Sequence, residues 1–215
     1  MELFVLGEQN SIANHFLRGI RDKNLQQDRM KFRKNMERLG EIMAFELSKK
    51  LTYAKREVET PLGKSVLRVL ERDPILITIL RAGLPYFSGF QNFFDASDCG
   101  FIGAYRQENE EDIKIKLDYL ATPSLDNADV IVIDPMLATG RSFVEVLNEL
   151  LKRGKPKHLH LAALVASPEG IEYLKEKVEI PFTIWTFAVD EKLNQQFYIV
   201  PGLGDAGDLS FGEKI

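Results

Sequence analysis

The apolar positions of this chain change rhythm twice. Over residues 1 to about 52 they recur at three- and four-residue spacing, and Phe32, Met36, Leu39, Met43 and Leu47 form one stripe. That spacing predicts a helical N-terminal region whose stripe faces a core or a subunit interface. The stretch TYAKREVETPLGKSVLRVL is rich in β-formers around the turn signal TPLG, and predicts two antiparallel strands of an arm. From residue 75 onward, short apolar runs alternate with helical patterns. ILITIL, CGFIGAYR, IKIKLDYL, VIVID, HLHLAALVAS and FTIWTFAV read as strands, and GLPYFSGFQNFF as a helix. A further helix follows Ser142 on Phe143, Val146, Leu147, Leu150 and Leu151 and ends at Gly154, while another opens at Ser167 as N-cap with Pro168 in its first position. Strands alternating with helices predict an α/β fold, with a mainly parallel central sheet flanked by helices. The glycine-rich tail YIVPGLGDAGDLSFGEKI has no usable period and predicts an ordered loop.

Bulk properties narrow the classes of function. The chain has 215 residues, 45% hydrophobic and 28% charged, which suits one large domain with a sizeable core. Neither a repeat nor a linker divides it. The expected parts are a helical region at 1–52, a β-arm at 53–72, a core at 73–190 and a C-terminal segment at 191–215. A net charge of −4 gives no general attraction to nucleic acid or to anionic membranes. The stretch RGIRDKNLQQDRMKFRKNMER is locally basic, but Asp22, Asp28 and Glu37 are interleaved, so it reads as a solvated helix face. The single cysteine, Cys99, cannot form an intrachain disulfide, and MELFVLGEQNSIANHF lacks the pattern of a signal peptide. No apolar run approaches the roughly 20 residues that span a bilayer. The expected location is cytoplasmic. His158 and His160 face the same way on a predicted strand, a spacing compatible with a metal, yet no third ligand is apparent and a polar strand start is the plainer reading.

The chemistry concentrates in VIVIDPMLATGRS, residues 130–142. Four β-branched residues without alternation suit a strand covered on both faces, and Asp134 is the first charge after them. Ala138, Thr139 and Gly140 then lead into a helix, where small residues let backbone N–H groups approach an anion that the helix dipole favours. The loop lacks the Gly-Lys-Ser/Thr ending of a P-loop and the three spaced glycines of a dinucleotide fold. What remains can hold a sugar phosphate, with the acid near the hydroxyls and the loop on the phosphate.

That arrangement resembles the phosphoribosyl pyrophosphate motif of type I phosphoribosyltransferases. The general motif has two adjacent acids where this chain has Asp134 and Pro135, and the variant DPMLATG resembles the uracil phosphoribosyltransferases. ILRAGL at 79–84, YR at 105–106, ASPEGI at 166–171 and YIVPGLGDAGD at 198–208 resemble the same family, in the expected order. The resemblance implies a type I phosphoribosyltransferase fold with a β-arm and a C-terminal hood over the base. The implied reaction is uracil plus phosphoribosyl pyrophosphate giving UMP and pyrophosphate, with Mg²⁺ held mainly through pyrophosphate and water, near Asp205, rather than by direct protein ligands.

Residue roles carry over position by position. Arg81, Arg106 and Asp134 take the catalytic roles, the two arginines on the pyrophosphate and Asp134 on the ribose hydroxyls. A guanidinium fork suits paired phosphate oxygens. Pro135, Met136, Leu137, Ala138, Thr139, Gly140, Arg141 and Ser142 form the rest of the phosphoribosyl pyrophosphate site, joined by Ala206. Val200, Asp205, Ala206 and Gly207 line the uracil pocket, where rigid backbone groups can match alternating carbonyls and N–H groups. A homodimer or higher homo-oligomer and a GTP effector are further expectations, without membrane or nucleic-acid partners. Position 141 is usually glycine and position 209 usually basic in the family, so Arg141 and Leu209 are departures. Two rivals differ in kind. A phosphoribosyltransferase for another base is opposed by PGLGDAGD, and an RNA-binding pyrimidine operon regulator of the same fold is opposed by that hood and by the acidic pI of about 5.5.

Overall fold

The computed structural model describes residues 1–109 and 112–214, with the side chains of residues 104–117 outside that description. Its first element corrects the expectation of an all-helical N-terminus. Glu2–Val5 is a strand, β1. It pairs in parallel with residues 183–186, and Phe4 stacks on Trp185 at 4.3 Å between ring centroids. A short β-forming run that meets an open sheet edge is captured by it, and local propensity does not foresee the edge. Helices α1 (Ala13–Arg21) and α2 (Arg29–Ser48) follow. Asp28 caps α2 by accepting the Lys31 N–H at 3.1 Å, and all five residues of the predicted stripe are fully buried.

Strands β2 (Tyr53–Thr60) and β3 (Gly63–Leu70) form the expected antiparallel hairpin, Tyr53 opposite Leu70. The core begins with β4 (Ile75–Leu80) and continues through α3 (Leu84–Gln91), β5 (Cys99–Asn109), β6 (Asp112–Ala121) and β7 (Asp129–Ile133). After β7 come β8 (Met136–Leu137), α4 (Arg141–Leu150), β9 (His158–Ala162), β10 (Val165–Ala166), α5 (Pro168–Lys177), β11 (Phe182–Thr186) and β12 (Ala188–Val189). The chain ends in β13 (Lys192–Leu193), β14 (Ile199–Val200) and α6 (Ala206–Phe211). The tail expected to be all loop therefore holds a strand and a helix. Six helical residues are too few to display a period.

The central sheet runs β1-β11-β9-β7-β4-β5-β6 and is parallel except for β6. Alternate residues of β7 feed opposite cores. Ile131 and Ile133 pack with Met36, Met43, Tyr86 and Phe90 in the core that includes α2 and α3, while Val130 and Val132 pack with Phe143, Val146 and Leu174 of α4 and α5. Both faces are covered, which is why the run shows no alternation.

The two histidines sit together at the other end of the sheet from the 134–142 loop. Their rings are 4.7 Å apart, His158 Nε2 lies 2.9 Å from Thr183 Oγ1, and His160 Nδ1 accepts the Trp185 indole N–H at 3.2 Å. Burial, with a smaller contribution from His158, pushes His160 down from 6.5 to about 3. Above pH 6.5 the imidazole is neutral folded or unfolded and costs nothing. Between 6.5 and 3 only the unfolded chain takes the proton, so stability falls as pH falls. We expect the loss to reach about 2 kcal/mol at pH 5 relative to pH 7. Chemical denaturation of His160→Gln, which keeps an acceptor for the indole, should show a shallower dependence over that range; an unchanged slope would refute the assignment.

Candidate active site

Three parallel strands stop at one level and resume at an angle. After β7, β9 and β11 the chain bends and forms a second small parallel sheet, β12-β10-β8. Backbone hydrogen bonds cross the bend. The Asp134 N–H donates to the Ala162 carbonyl at 3.1 Å, and the N–H groups of Leu164 and Val165 both donate to the Pro135 carbonyl, at 2.9 and 3.2 Å. Pro135 has no N–H to satisfy and its carbonyl takes two donors.

The loop beyond the bend is held by its own residues and from behind. Asp134 Oδ1 accepts the Met136 N–H at 3.2 Å, and Thr139 Oγ1 accepts the Arg141 N–H at 3.4 Å. Gly140, at φ 74°, precedes α4, and its carbonyl takes the first helical bond, from the Val144 N–H at 3.0 Å. A Cβ at 140 would lie 2.8 Å from the Gly170 carbonyl oxygen, and one at 170 would lie 2.1 Å from the Ala138 carbonyl oxygen. Glycine is required at both. Ser167 joins the layers, since its Oγ donates to the Ala138 carbonyl at 2.6 Å and accepts the Gly170 N–H at 2.9 Å. This is the physical role of ASPEGI: the start of α5 braces the loop.

The opposite wall is the hood. Asp190 accepts Arg21 Nη2 on both carboxylate oxygens, at 2.8 and 3.0 Å, and the Gly202 N–H at 2.7 Å. Asp205 caps α6 by accepting the Asp208 N–H at 2.9 Å, and Arg33 donates to the Ser210 carbonyl at 2.7 Å. Between loop and hood lies a cavity of about 390 Å³. Of the expected residues it is lined by Arg81, Asp134, Met136, Ala138, Ser142, Asp205, Ala206 and Gly207. Pro135, Leu137, Thr139, Gly140, Arg141 and Val200 are not in its wall; the Arg106 side chain lies outside the described residues. Arg81 follows a cis peptide after Leu80. Its Nη2 donates to Asp208 Oδ1 at 2.8 Å and to the Gly212 carbonyl at 3.2 Å, and its Nε is buried with no partner among the described residues.

Comparison with known proteins identifies the family. The uracil phosphoribosyltransferase family model matches residues 7–213. The chain belongs to the uracil phosphoribosyltransferase family. The uracil phosphoribosyltransferase of Porphyromonas gingivalis is 44% identical over 216 residues, covering 100% of both chains. That of Methanococcus maripaludis is 40% identical over 195 residues, 89% of this chain and 83% of its own. The solved structure of the AQ2163 protein from Aquifex aeolicus superposes with a TM-score of 0.87 at 32% identity, over 99% of each chain. The expected fold class holds in this family member.

The family motifs did not point to every residue in the wall. Ile79, Leu80, Ala82, Phe197, Tyr198, Ile199, Gly204 and Lys214 also line the cavity. Six of them lie inside the quoted motifs without an assigned role, Phe197 adjoins one, and Ile199 stands where Val200 was expected. Lys214 carried no signal of its own. Leu209, a departure from the family pattern, packs against the core shared with α2. Arg141 opens α4 at the loop.

The brace behind the loop is testable as a stability effect. Ser167→Ala removes a buried donor to Ala138 and the cap of α5, and we expect a loss of about 2 kcal/mol in urea denaturation. A variant as stable as the parent would show that the brace contributes nothing.

Proposed function

We propose that the cavity transfers the phosphoribosyl group of phosphoribosyl pyrophosphate to N1 of uracil, giving UMP and pyrophosphate. The observation that carries this reading is the convergence of the 134–142 loop, Arg81 and the 205–207 hood segment on one cavity. The loop offers small residues at the N-terminus of α4 for the 5′-phosphate, with the Ser142 hydroxyl in the wall. Asp134 faces the ribose hydroxyls. Arg81, with Arg106 in the matching family position, takes charge developing on the pyrophosphate as the anomeric bond breaks. Backbone groups of Asp205, Ala206 and Gly207 read the edge of uracil. Catalysis is then positioning and charge stabilisation, with no residue forming a covalent bond.

The donor set suits Mg²⁺. Two carboxylates, Asp134 and Asp205, line the cavity, and among the described residues no group of three or more His, Cys, Asp or Glu side chains gathers. Mg²⁺ commonly takes one or two carboxylates and fills its shell with substrate phosphates and water. When bound it would supply positive charge to the leaving pyrophosphate. The reading includes a homo-oligomer, supported by exposed Leu62, Val66 and Leu67 on the arm, and a cytoplasmic location. A GTP effector enters on the resemblance alone. No helix among the described residues is long and apolar enough to cross a membrane.

Offering each nucleobase in turn with phosphoribosyl pyrophosphate should yield a nucleotide from uracil only; turnover of a purine and none of uracil would overturn the assignment. Arg81→Ala should lower kcat/KM by about 100-fold or more with the melting temperature nearly unchanged. Parental turnover in that variant would remove Arg81 from the site.

A further inference from the structure

Arg81 is already occupied by an acid of the protein itself. A guanidinium offers two bidentate forks, one from Nε with Nη2 and one from Nη1 with Nη2, and each needs a hydrogen on Nη2. Nη2 is shared between two acceptors of the protein, Asp208 Oδ1 at 2.8 Å and the Gly212 carbonyl at 3.2 Å. Neither fork is open while these contacts stand. Nε, which would complete the side-on fork, is buried and has no partner among the described residues.

We infer that Asp208 is an internal stand-in for the pyrophosphate group, which must displace it to gain a bidentate hold on Arg81. The inference rests on the reading of Arg81 given above. Three features favour displacement over permanent pairing. The pair is half-open to water, with 39% of the Arg81 side chain and 33% of the Asp208 side chain exposed, so an incoming anion can reach it. Asp208 contributes its backbone N–H, not its carboxylate, to the cap of α6, so the carboxylate can leave Arg81 without opening the helix. The helix itself is held independently, by Arg33 on the Ser210 carbonyl at 2.7 Å. Asp208 is therefore an affinity-setting residue: its carboxylate lowers the affinity for both phosphoribosyl pyrophosphate and released pyrophosphate.

The test is inorganic pyrophosphate binding by calorimetry at fixed Mg²⁺, on the full chain, in a double-mutant cycle of Asp208→Asn and Arg81→Ala. Asp208→Asn should bind pyrophosphate about three- to tenfold more tightly and lower the KM for phosphoribosyl pyrophosphate to match, as expected for removing one partly exposed competing charge. Misfolding cannot produce a gain of affinity. If the Asn variant does not fold, Asp208→Ser carries the same expectation. In the Arg81→Ala background the Asp208 substitution should change nothing beyond about twofold. Unchanged or weaker binding in Asp208→Asn overturns the inference and makes Asp208 a support for Arg81. An equal gain in both backgrounds also overturns it, because removal of any acid near the cavity would then suffice. Arg81→Ala binding pyrophosphate as the parent does would instead fault the assignment of Arg81 itself.

Discussion

The site depends on how three parallel strands end. Strands β7, β9 and β11 run side by side toward the same edge, where every backbone N–H and carbonyl that leaves the sheet still needs a partner. The chain meets that demand by bending all three and pairing them again as β8, β10 and β12. The carbonyl of Pro135 takes two donors from the next strand, and the carbonyl of Leu164 takes the Phe187 and Ala188 N–H groups at 3.1 and 3.3 Å. The crease between the two sheets lies at the carboxyl ends of the strands, where open α/β sheets place their ligands. Asp134 stands in the crease because it is the first residue after β7.

The two walls of the cavity are built by different physics. The loop is fixed by close approach: Ala138, Ser167 and Gly170 leave no room for a side chain between the loop and α5, and Ser167 Oγ bridges them. Such contact resists change because packed interiors do not compress. The hood is fixed by polar ties. Asp190 is buried and holds both Arg21 and the Gly202 N–H, so an ion pair and a backbone bond converge on one carboxylate. Leaving Asp190 in place without Arg21 would strand a buried charge. The loop is therefore a close-packed wall of the cavity, while the hood is a wall held by a few polar contacts.

How much of this was legible depended on element length. The α2 stripe, the arm and the buried strand before Asp134 each extend over enough residues for a period or a continuous run to show. Short features were not visible. β1 spans four residues and becomes a strand because Phe182–Thr186 presents an edge to it, which is a tertiary fact. HLHLAALVAS and FTIWTFAV read as single strands because the bends at residues 163–164 and 187 fall inside apolar runs, and hydrophobicity does not report a change of direction. The helix α6 did leave a local signal: Asp205 three residues before Asp208 is a capping pattern, and glycine content concealed it. In the site, the motifs pointed to the loop and the hood, but only the fold shows that Ser167 and Gly170 act by bracing Ala138.

An arginine placed to bind an anion poses a problem for the ligand-free protein. With no anion bound, its donors must be satisfied by water or by the chain; Asp208 and the Gly212 carbonyl meet Nη2, while Nε is buried with no partner among the described residues. A strong internal partner would solve this and block the site; no partner would leave a part-buried cation with a desolvation cost. A half-exposed ion pair lies between the two, because such pairs contribute about 1 kcal/mol or less in water. On the role proposed for Arg81, a pyrophosphate group brings more charge and two parallel hydrogen bonds where Asp208 makes one, so it wins the exchange. After the reaction the same carboxylate is at hand to replace the product. On that proposal, the order of strengths, water below Asp208 and Asp208 below pyrophosphate, lets one arginine be held when empty and still release what it has helped to form.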